Sequence, residues 1–128
     1  MKALEIFLQF VEEINLHDPK ALKALMTTDH LFVDSLGQQV QGATLMEHGW
    51  KGYFSMCPDY WMRIGDVIAE EETVLAAGAA GGTIDGQSWQ IPAAWKAVIR
   101  ENKVAEWRVY ADNKPVYAIL ARRQSSPS

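Results

Sequence analysis

The chain has 128 residues, of which 48% are hydrophobic, and a formal net charge of −4. That length is enough for one domain with a hydrophobic core, and the negative charge argues against nucleic acid as a partner because phosphate binding needs a basic surface. No run of residues is apolar enough for a membrane span, and Glu5, Glu12 and Glu13 argue against a signal peptide. The single cysteine, Cys57, excludes an internal disulfide and favours a reducing, cytoplasmic location.

The first half of the chain contains three helical patterns. An amphipathic helix ending near Asn15 is predicted from apolar residues at helical spacing, namely Leu4, Phe7, Leu8, Val11 and Ile14. Asp18-Pro19 predicts the cap and first turn of a short second helix. Thr44 with Glu47 predicts a capping box for a third helix, which Pro58 would end.

The strand signals begin between the second and third helices and dominate the second half. His30 to Asp34 predicts a short strand, with a return strand around Gln39 to Gln41. Later apolar residues alternate with polar ones, and Asp85-Gly86 and Glu101-Asn102 predict tight turns between long strands. Pro92 predicts a bulge or an edge position, because proline cannot donate a ladder hydrogen bond.

This order of elements predicts an α+β domain in which a cone-shaped, curved antiparallel sheet wraps around three N-terminal helices. We expect a single domain over residues 1–118 and a flexible C-terminal tail over residues 119–128. A strongly bent sheet closed by helices leaves room for a pocket.

Large aromatic side chains dominate one face of the last two long strands. Trp89, Trp95 and Trp107 are predicted to point inward, and Tyr53 on the third helix and Trp61 are predicted to join them. These rings either line a cavity for a flat apolar ligand or simply fill the core, as large residues at a period of two often do. The sequence leaves both interpretations open.

Two polar residues are candidates for chemistry. Asp34 stands at the end of the first predicted strand, where a carboxylate either accepts hydrogen bonds from the turn at Leu36 or Gly37, or acts as a general base in a pocket. His48 lies at the margin of the third helix and is a candidate acid or hydrogen-bond donor. The three histidines are scattered without metal-ligand spacing, so no metal site is predicted.

Several segments together resemble the nuclear transport factor 2-like superfamily and, within it, the SnoaL-like and ketosteroid-isomerase-like small proteins. They span roughly residues 4 to 112 and consist of Asn15-Leu16-His17-Asp18, Phe32-Val33-Asp34, Tyr53-Phe54 through Pro58-Asp59-Tyr60, and Pro92-Ala93-Ala94-Trp95 through Glu106-Trp107-Arg108-Val109-Tyr110. The resemblance implies a cystatin-like α+β barrel. It also implies a homodimer through the outer sheet face, where Glu106, Arg108 and Tyr110 share one side of the last strand.

The resemblance implies that Asp34 occupies the position of a catalytic base in a ketosteroid-isomerase-like site. The two hydrogen-bond donors of that site would fall on Phe10, which has none, and on Trp95, which offers one indole N–H. We therefore expect a pocket lined by Phe10 and the aromatic residues above, which binds a small hydrophobic molecule. The predicted activity is a cofactor-free isomerase or cyclase reaction on a hydrophobic or polyketide-like molecule; the alternative is a non-catalytic ligand-binding or dimeric assembly module.

Overall fold

The computed structural model describes residues 2–125, with side chains described through residue 122. The elements in chain order are α1 (Ala3–Asn15), α2 (Pro19–Ala24), β1 (Met26–Val33), β2 (Gln39–Gln41), α3 (Ala43–Met56), β3 (Trp61–Glu70), β4 (Thr73–Ile84), β5 (Gln87–Arg100), β6 (Lys103–Ala111) and α4 (Lys114–Ser125). The predicted α+β class is confirmed. Among the described residues, no helix is both long and apolar enough to cross a bilayer.

All six strands form one sheet in the order β2-β1-β6-β5-β4-β3. Neighbours are antiparallel except β1 and β6, which run parallel. Sequence patterns did not predict this parallel pair, because strands separated by most of the chain leave no local signal of their pairing. Since β2 and β3 stand at opposite edges, the sheet is curved but unclosed.

A bulge in β3 explains part of the curvature and places one carboxylate. The register between β3 and β4 shifts between Ile64 and Asp66, and this shift moves Asp66 to the exposed, convex side opposite Ala77. Gly78 allows the close approach, because a Cβ there would overlap the carbonyl oxygen of Arg63. Alternation along the sequence leaves the direction of Asp66 ambiguous, and the bulge places it on the convex side.

The predicted turns are confirmed. Asp85 and Gly86 have φ angles of 51° and 75°, and Glu101 and Asn102 have φ angles of 54° and 60°, as tight two-residue hairpin loops require. Pro92 occupies an edge position, because β6 pairs with β5 only from residue 93 onward.

The core lies between α1 and the concave face of the sheet. Phe7 and Phe10 of α1 are fully buried, and their rings lie 5.4 Å and 4.8 Å from the ring of Trp107. Trp95 is also nearly inaccessible, at 2% exposure. Full burial of an aromatic side chain contributes roughly 1.5–3 kcal/mol, so this contact is a principal source of stability.

Polar contacts fix the end of α1 to the start of β3. The side-chain amide of Asn15 accepts from the N–H of Met62 at 2.9 Å and donates to its carbonyl at 3.0 Å. His17 Nε2 lies 2.6 Å from the carbonyl oxygen of Tyr60. Asp18 accepts from the N–H of Ala21 at 3.1 Å, which confirms its predicted role as the cap of α2.

Three predicted details differ from the structure. The prediction of a capping box at Thr44 and Glu47 is wrong. Helix α3 begins after Gly42, which has a φ of 109°, and no side chain caps it. Strand β1 begins at Met26 rather than His30. The boundary predicted at residue 118 falls inside α4, whose Ile119 is only 4% exposed, while residues 126–128 of the expected tail lie outside the described residues.

Gly82 is a packing constraint that can be tested. A Cβ at Gly82 would overlap Cys57 Sγ and approach Tyr60 Cα within 3.3 Å. We expect Gly82→Ala to lower the free energy of unfolding by about 1–3 kcal/mol, the usual cost of overpacking, in urea denaturation. Gly52→Ala is the matched control: nothing lies within 4 Å of its new methyl in α3, so we expect a gain of about 0.5–1 kcal/mol. Equal effects of the two substitutions would contradict this account.

His30 is fully buried in the core between β1 and β6. Its Nδ1 lies 2.7 Å from the carbonyl oxygen of Val104 and therefore donates to it, while Nε2 has no partner within the described residues. Desolvation lowers the pKa of His30 below 6.5, and the bond to Val104 and the charge of Asp29 oppose this shift only in part.

The lowered pKa of His30 predicts how stability depends on pH. The unfolded chain binds a proton at His30 more readily than the folded chain does, so stability is fully present above pH 6.5 and falls as the pH drops toward the folded-state pKa. We expect the urea midpoint to fall between pH 7.5 and 5.5, with a weaker pH dependence in His30→Phe. His48→Gln, at an exposed position, should keep the wild-type dependence. An unchanged slope in His30→Phe would refute the assignment.

Candidate functional site

A cavity of about 360 Å³ lies between the concave face of the sheet, α3 and α4. Its size falls at the lower end of the range for small-molecule sites, about 300–1,000 Å³. Eight aromatic side chains contribute to its lining, and these are Phe32, Trp50, Tyr53, Tyr60, Trp89, Trp95, Trp107 and Tyr117. The remaining lining is mostly aliphatic, so the cavity suits an apolar molecule.

Asp34 is the one charged side chain among the described residues that line this cavity. It follows β1 directly, and its Oδ1 accepts from the N–H groups of Leu36 and Gln38, both at 2.9 Å. No hydrogen bond to Oδ2 is found within residues 2–125. Asp34 therefore shapes the β1–β2 turn through Oδ1 and also lines the cavity.

The cavity mouth is closed in part by α4. The side-chain amide of Asn113 donates to Ser35 Oγ at 2.7 Å, which connects the start of α4 to the turn that carries Asp34. Both residues line the cavity, as do Val116 and Leu120 of the helix. Helix α4 was not predicted, although Val116, Ile119 and Leu120 recur at helical spacing and Asp112 accepts from the N–H of Lys114 at its start.

The predicted aromatic residues divide into two groups. Tyr53, Trp89, Trp95 and Trp107 line the cavity, and the two tryptophans of the inner wall, Trp95 and Trp107, leave it open. Phe10 does not line it, because it packs beneath Trp107.

Trp61 lies on the other side of the sheet from Met62. Its ring is near Arg63 on the same face, and the guanidinium carbon of Arg63 lies 5.2 Å from the ring centroid. His48 does not reach the cavity either. It is exposed on α3, opposite the side on which Met46 and Trp50 are buried. The structure thus brings Asp34 together with four of the six predicted aromatic residues, and not with His48.

Tyr60 and Trp50 also line the cavity, and Tyr60 was not predicted to do so. The sequence did indicate the direction of Tyr60, because it stands two residues before Met62, which is buried on the concave face. Burial raises the pKa of Tyr53 and of Tyr60 well above 10, and the nearby Tyr60 raises that of Tyr53 further. Both phenols are therefore protonated at neutral pH.

Cys57 is buried at the end of α3, as expected for a packing residue. Burial raises the pKa of its thiol, against opposing contributions from the N–H of Thr83 and from Trp89. A thiol held protonated is a poor nucleophile. In the described part of the chain, no three His, Cys, Asp or Glu side chains converge as metal ligands would.

A second concavity of about 510 Å³ lies where the N-terminus of α1 meets the turns of the sheet. Lys2, Glu71, Glu72 and Glu101 contribute to its lining, and it is an open groove. It lacks aromatic walls and contains none of the predicted site residues, so the aromatic cavity is the stronger candidate site.

Comparisons with solved structures show the same fold in other proteins. A protein from Jannaschia sp. CCS1, provisionally described as a SnoaL-like polyketide cyclase, superposes with a TM-score of 0.81 at 18% identity, over 98% of this chain and 93% of that one. An M. tuberculosis LEH-like epoxide hydrolase gives a TM-score of 0.81 at 15% identity, over 94% and 90% of the two chains. An uncharacterised cystatin-fold protein from Novosphingobium aromaticivorans gives 0.75 at 18%, over 85% and 97%. These likenesses show the fold alone.

No match is found among curated proteins. The family model of the SnoaL-like domain matches residues 7–107, a span that runs from α1 to Trp107 and contains Asp34 and most of the aromatic lining. The chain therefore belongs to the SnoaL-like family, as the resemblance in its sequence predicted.

Proposed function

We propose that the protein binds a small hydrophobic molecule in the aromatic cavity and catalyses a proton transfer on it, with Asp34 as general base. The observation that carries the proposal is a single carboxylate on the wall of an otherwise uncharged aromatic cavity. A polyketide-like substrate belongs to the same proposal, and its support is the description of the Jannaschia protein. A cytoplasmic location also belongs here, with the single buried cysteine as its support.

The proposed chemistry needs few groups. Oδ1 of Asp34 is held by Leu36 and Gln38, so Oδ2 would take the proton without rearrangement of the turn. A bound apolar molecule would displace water from the aromatic walls, which strengthens electrostatic interactions inside the cavity. Of the donors expected beside the base, Tyr53 and Trp95 line the cavity, and they are better candidates than His48.

A second candidate function is a ligand-binding or assembly module without chemistry. Its support is that Asp34 already has a structural role in the turn and that Asp66, the next carboxylate along a strand, faces outward. In that case the cavity would hold a ligand and Asp34 would only shape the β1–β2 turn.

Asparagine and alanine at position 34 separate these two functions. Asp34→Asn keeps an Oδ1 acceptor for the two N–H groups, so we expect nearly unchanged stability, whereas Asp34→Ala should lose about 1 kcal/mol. A suitable probe of proton transfer is exchange of the α-protons of 2-tetralone in D₂O, followed by ¹H NMR. We expect wild-type protein to accelerate exchange and Asp34→Asn to reduce the acceleration at least about 100-fold.

The outcomes of this exchange assay are distinct. Acceleration that survives in Asp34→Asn would rule out Asp34 as the base. Binding of 2-tetralone without any acceleration by wild-type protein would favour the non-catalytic module.

We also propose that the protein is a homodimer through the convex face of the sheet. Glu106, Arg108 and Tyr110 lie on this face, where Arg108 donates to Glu106 at 3.1 Å. Exposed apolar side chains continue the same surface, with Leu75 at 51% exposure and Ile68 opposite it on β3 at 70%. Apolar surface of this kind is typical of an interface between proteins.

Charge at the centre of that surface should weaken the dimer. We expect Tyr110→Glu, or Arg108→Glu, to shift the mass in sedimentation equilibrium from dimer toward monomer, because each buries an unpaired carboxylate against the partner. Gln9→Glu, which adds the same charge on the exposed side of α1, is the control and should leave the mass unchanged. A wild-type monomer, or a dimer unaffected by either substitution, would refute this interface.

A further inference from the structure

The inner wall of the aromatic cavity is closed to solvent in this structure. Trp107 and Trp95 line the cavity, yet they are only 1% and 2% exposed. Tyr60 and Trp89, which continue the same wall, are also buried. Water hardly reaches these rings, and an apolar ligand with one or two rings is much larger than a water molecule. Such a ligand can reach the inner wall only if an element that covers the cavity moves.

Helix α3 is one of the two covers, and it is anchored in the core. It buries four side chains, namely Ala43, Met46, Trp50 and Phe54. The rings of Trp50 and Phe54 stack with centroids 5.4 Å apart. At the start of the helix, the N–H of Gly42 donates to the carbonyl oxygen of His30 at 2.7 Å. Movement of α3 would therefore disrupt the close packing of the core itself.

Helix α4, the other cover, buries less of itself. Two of its described side chains are buried, and both are aliphatic, Val116 at 6% and Ile119 at 4% exposure. It follows β6 after only Asp112 and Asn113, and Asp112 accepts from the first backbone N–H of the helix at 3.1 Å. A connection of this kind can act as a hinge, because a few φ and ψ angles are enough to swing the helix. Of the two covers, α4 is the one that can move while the core stays intact.

A hydrogen bond holds the start of α4 against the opposite rim of the cavity. The side-chain amide of Asn113 donates to Ser35 Oγ at 2.7 Å, and both side chains are half-buried. Ser35 directly follows Asp34, whose Oδ1 accepts from the N–H groups of Leu36 and Gln38 in the same turn. A single hydrogen bond between neutral side chains contributes little net stability. This contact can therefore open and re-form without unfolding of the turn.

We propose that α4 is a lid on the aromatic cavity and that the hydrogen bond between Asn113 and Ser35 is its latch. The ligand enters when the latch opens and α4 swings on residues 112–113, and closure then places Val116 and Leu120 over it. This inference rests on the proposed function for the choice of cavity. Closure excludes water from the bound ligand and joins the lid, through Ser35, to the turn that carries Asp34.

The test is the rate at which a neutral fluorescent probe, N-phenyl-1-naphthylamine, binds to the full chain in stopped-flow measurements. If a lid must open first, the observed rate constant becomes independent of probe concentration at high concentration, where it equals the rate of opening. A cavity without a lid gives a rate constant that rises linearly with concentration throughout. We expect the wild-type protein to show the plateau.

Alanine substitutions locate the latch. Asn113→Ala and Ser35→Ala should each raise the plateau about two- to tenfold, as the loss of one net hydrogen bond would give. The double substitution should raise it no further than either change alone, because both remove the same contact. Gln90→Ala, which removes an exposed side-chain amide from β5, is the matched control and should leave the plateau unchanged.

A cavity-filling variant shows where the probe binds. Gly49 lines the cavity from α3, and a Cβ there would contact only the side chain of Met46, 3.5 Å from its sulfur. We expect Gly49→Phe to fold, to fill the cavity and to abolish probe binding.

The results separate this inference from the proposed function. Failure of the probe to bind the wild-type protein, or equal binding to Gly49→Phe, overturns the cavity assignment and the lid with it. If the probe binds in the cavity but the rate constant rises linearly with concentration, the lid is overturned while the apolar cavity stands. A plateau unaffected by both alanine substitutions overturns the latch and the assignment of α4 as the lid.

Discussion

The packing of α1 on Trp107 is the contact on which the rest of the structure depends. Phe7 and Phe10 cover one side of the concave face with rings 5.4 Å and 4.8 Å from that of Trp107, so this half of the sheet is a solid core. The cavity lies where α3 and α4 face the sheet. Trp107 belongs to both regions, because it is 1% exposed and lines the cavity. The same side chain thus contributes to the stability of the core and to the wall of the cavity, and the close packing of the core keeps that wall rigid.

The segment from Asn15 to Asp18, on which the family resemblance partly rested, has a structural role. Asn15 pairs with both backbone groups of Met62, and His17 bonds to the carbonyl of Tyr60. Asp59, next to Tyr60, accepts from the N–H and the hydroxyl of Thr83, at 2.7 Å and 2.8 Å. These bonds hold the backbone of Tyr60 from both sides. Residues that do not line the cavity themselves therefore determine the position of one of its phenols, as precise sites usually require.

The sequence predicted those parts of the fold that depend on local patterns. Helix α1, the cap at Asp18 and the turn at Asp85-Gly86 follow from residues within a few positions of each other. The parallel pairing of β1 with β6 could not be predicted in this way, because the two strands are separated by most of the length of the chain. The bulge at Gly65 lies between these two cases. A glycine in a strand is compatible with a bulge, but only the register opposite Gly78 shows that Asp66 faces outward.

The same distinction applies to the site. Alternation along β5 and β6 correctly predicted that Trp89, Trp95 and Trp107 face the cavity. All three stand at positions whose side chains are buried in these two strands. It could not assign Phe10, because a buried helix residue can contact either the core or a cavity and only the position of α1 decides between them. Nor could it assign His48, because the helical spacing of Leu45, Gly49 and Tyr53 placed it only at the margin of α3, and the structure exposes it.

The two interpretations of Asp34 at the sequence level were a turn-former and a base, and the geometry makes them compatible. Bonds from Leu36 and Gln38 both end on Oδ1, so they fix the plane of the carboxylate without occupying Oδ2. A carboxylate held in this way loses little conformational entropy when a substrate approaches, which is the advantage of a preorganised group. The position at the end of β1 therefore fixes Oδ1 of Asp34 in the turn while Oδ2 accepts no hydrogen bond from the described residues, as the proposed role of a base requires.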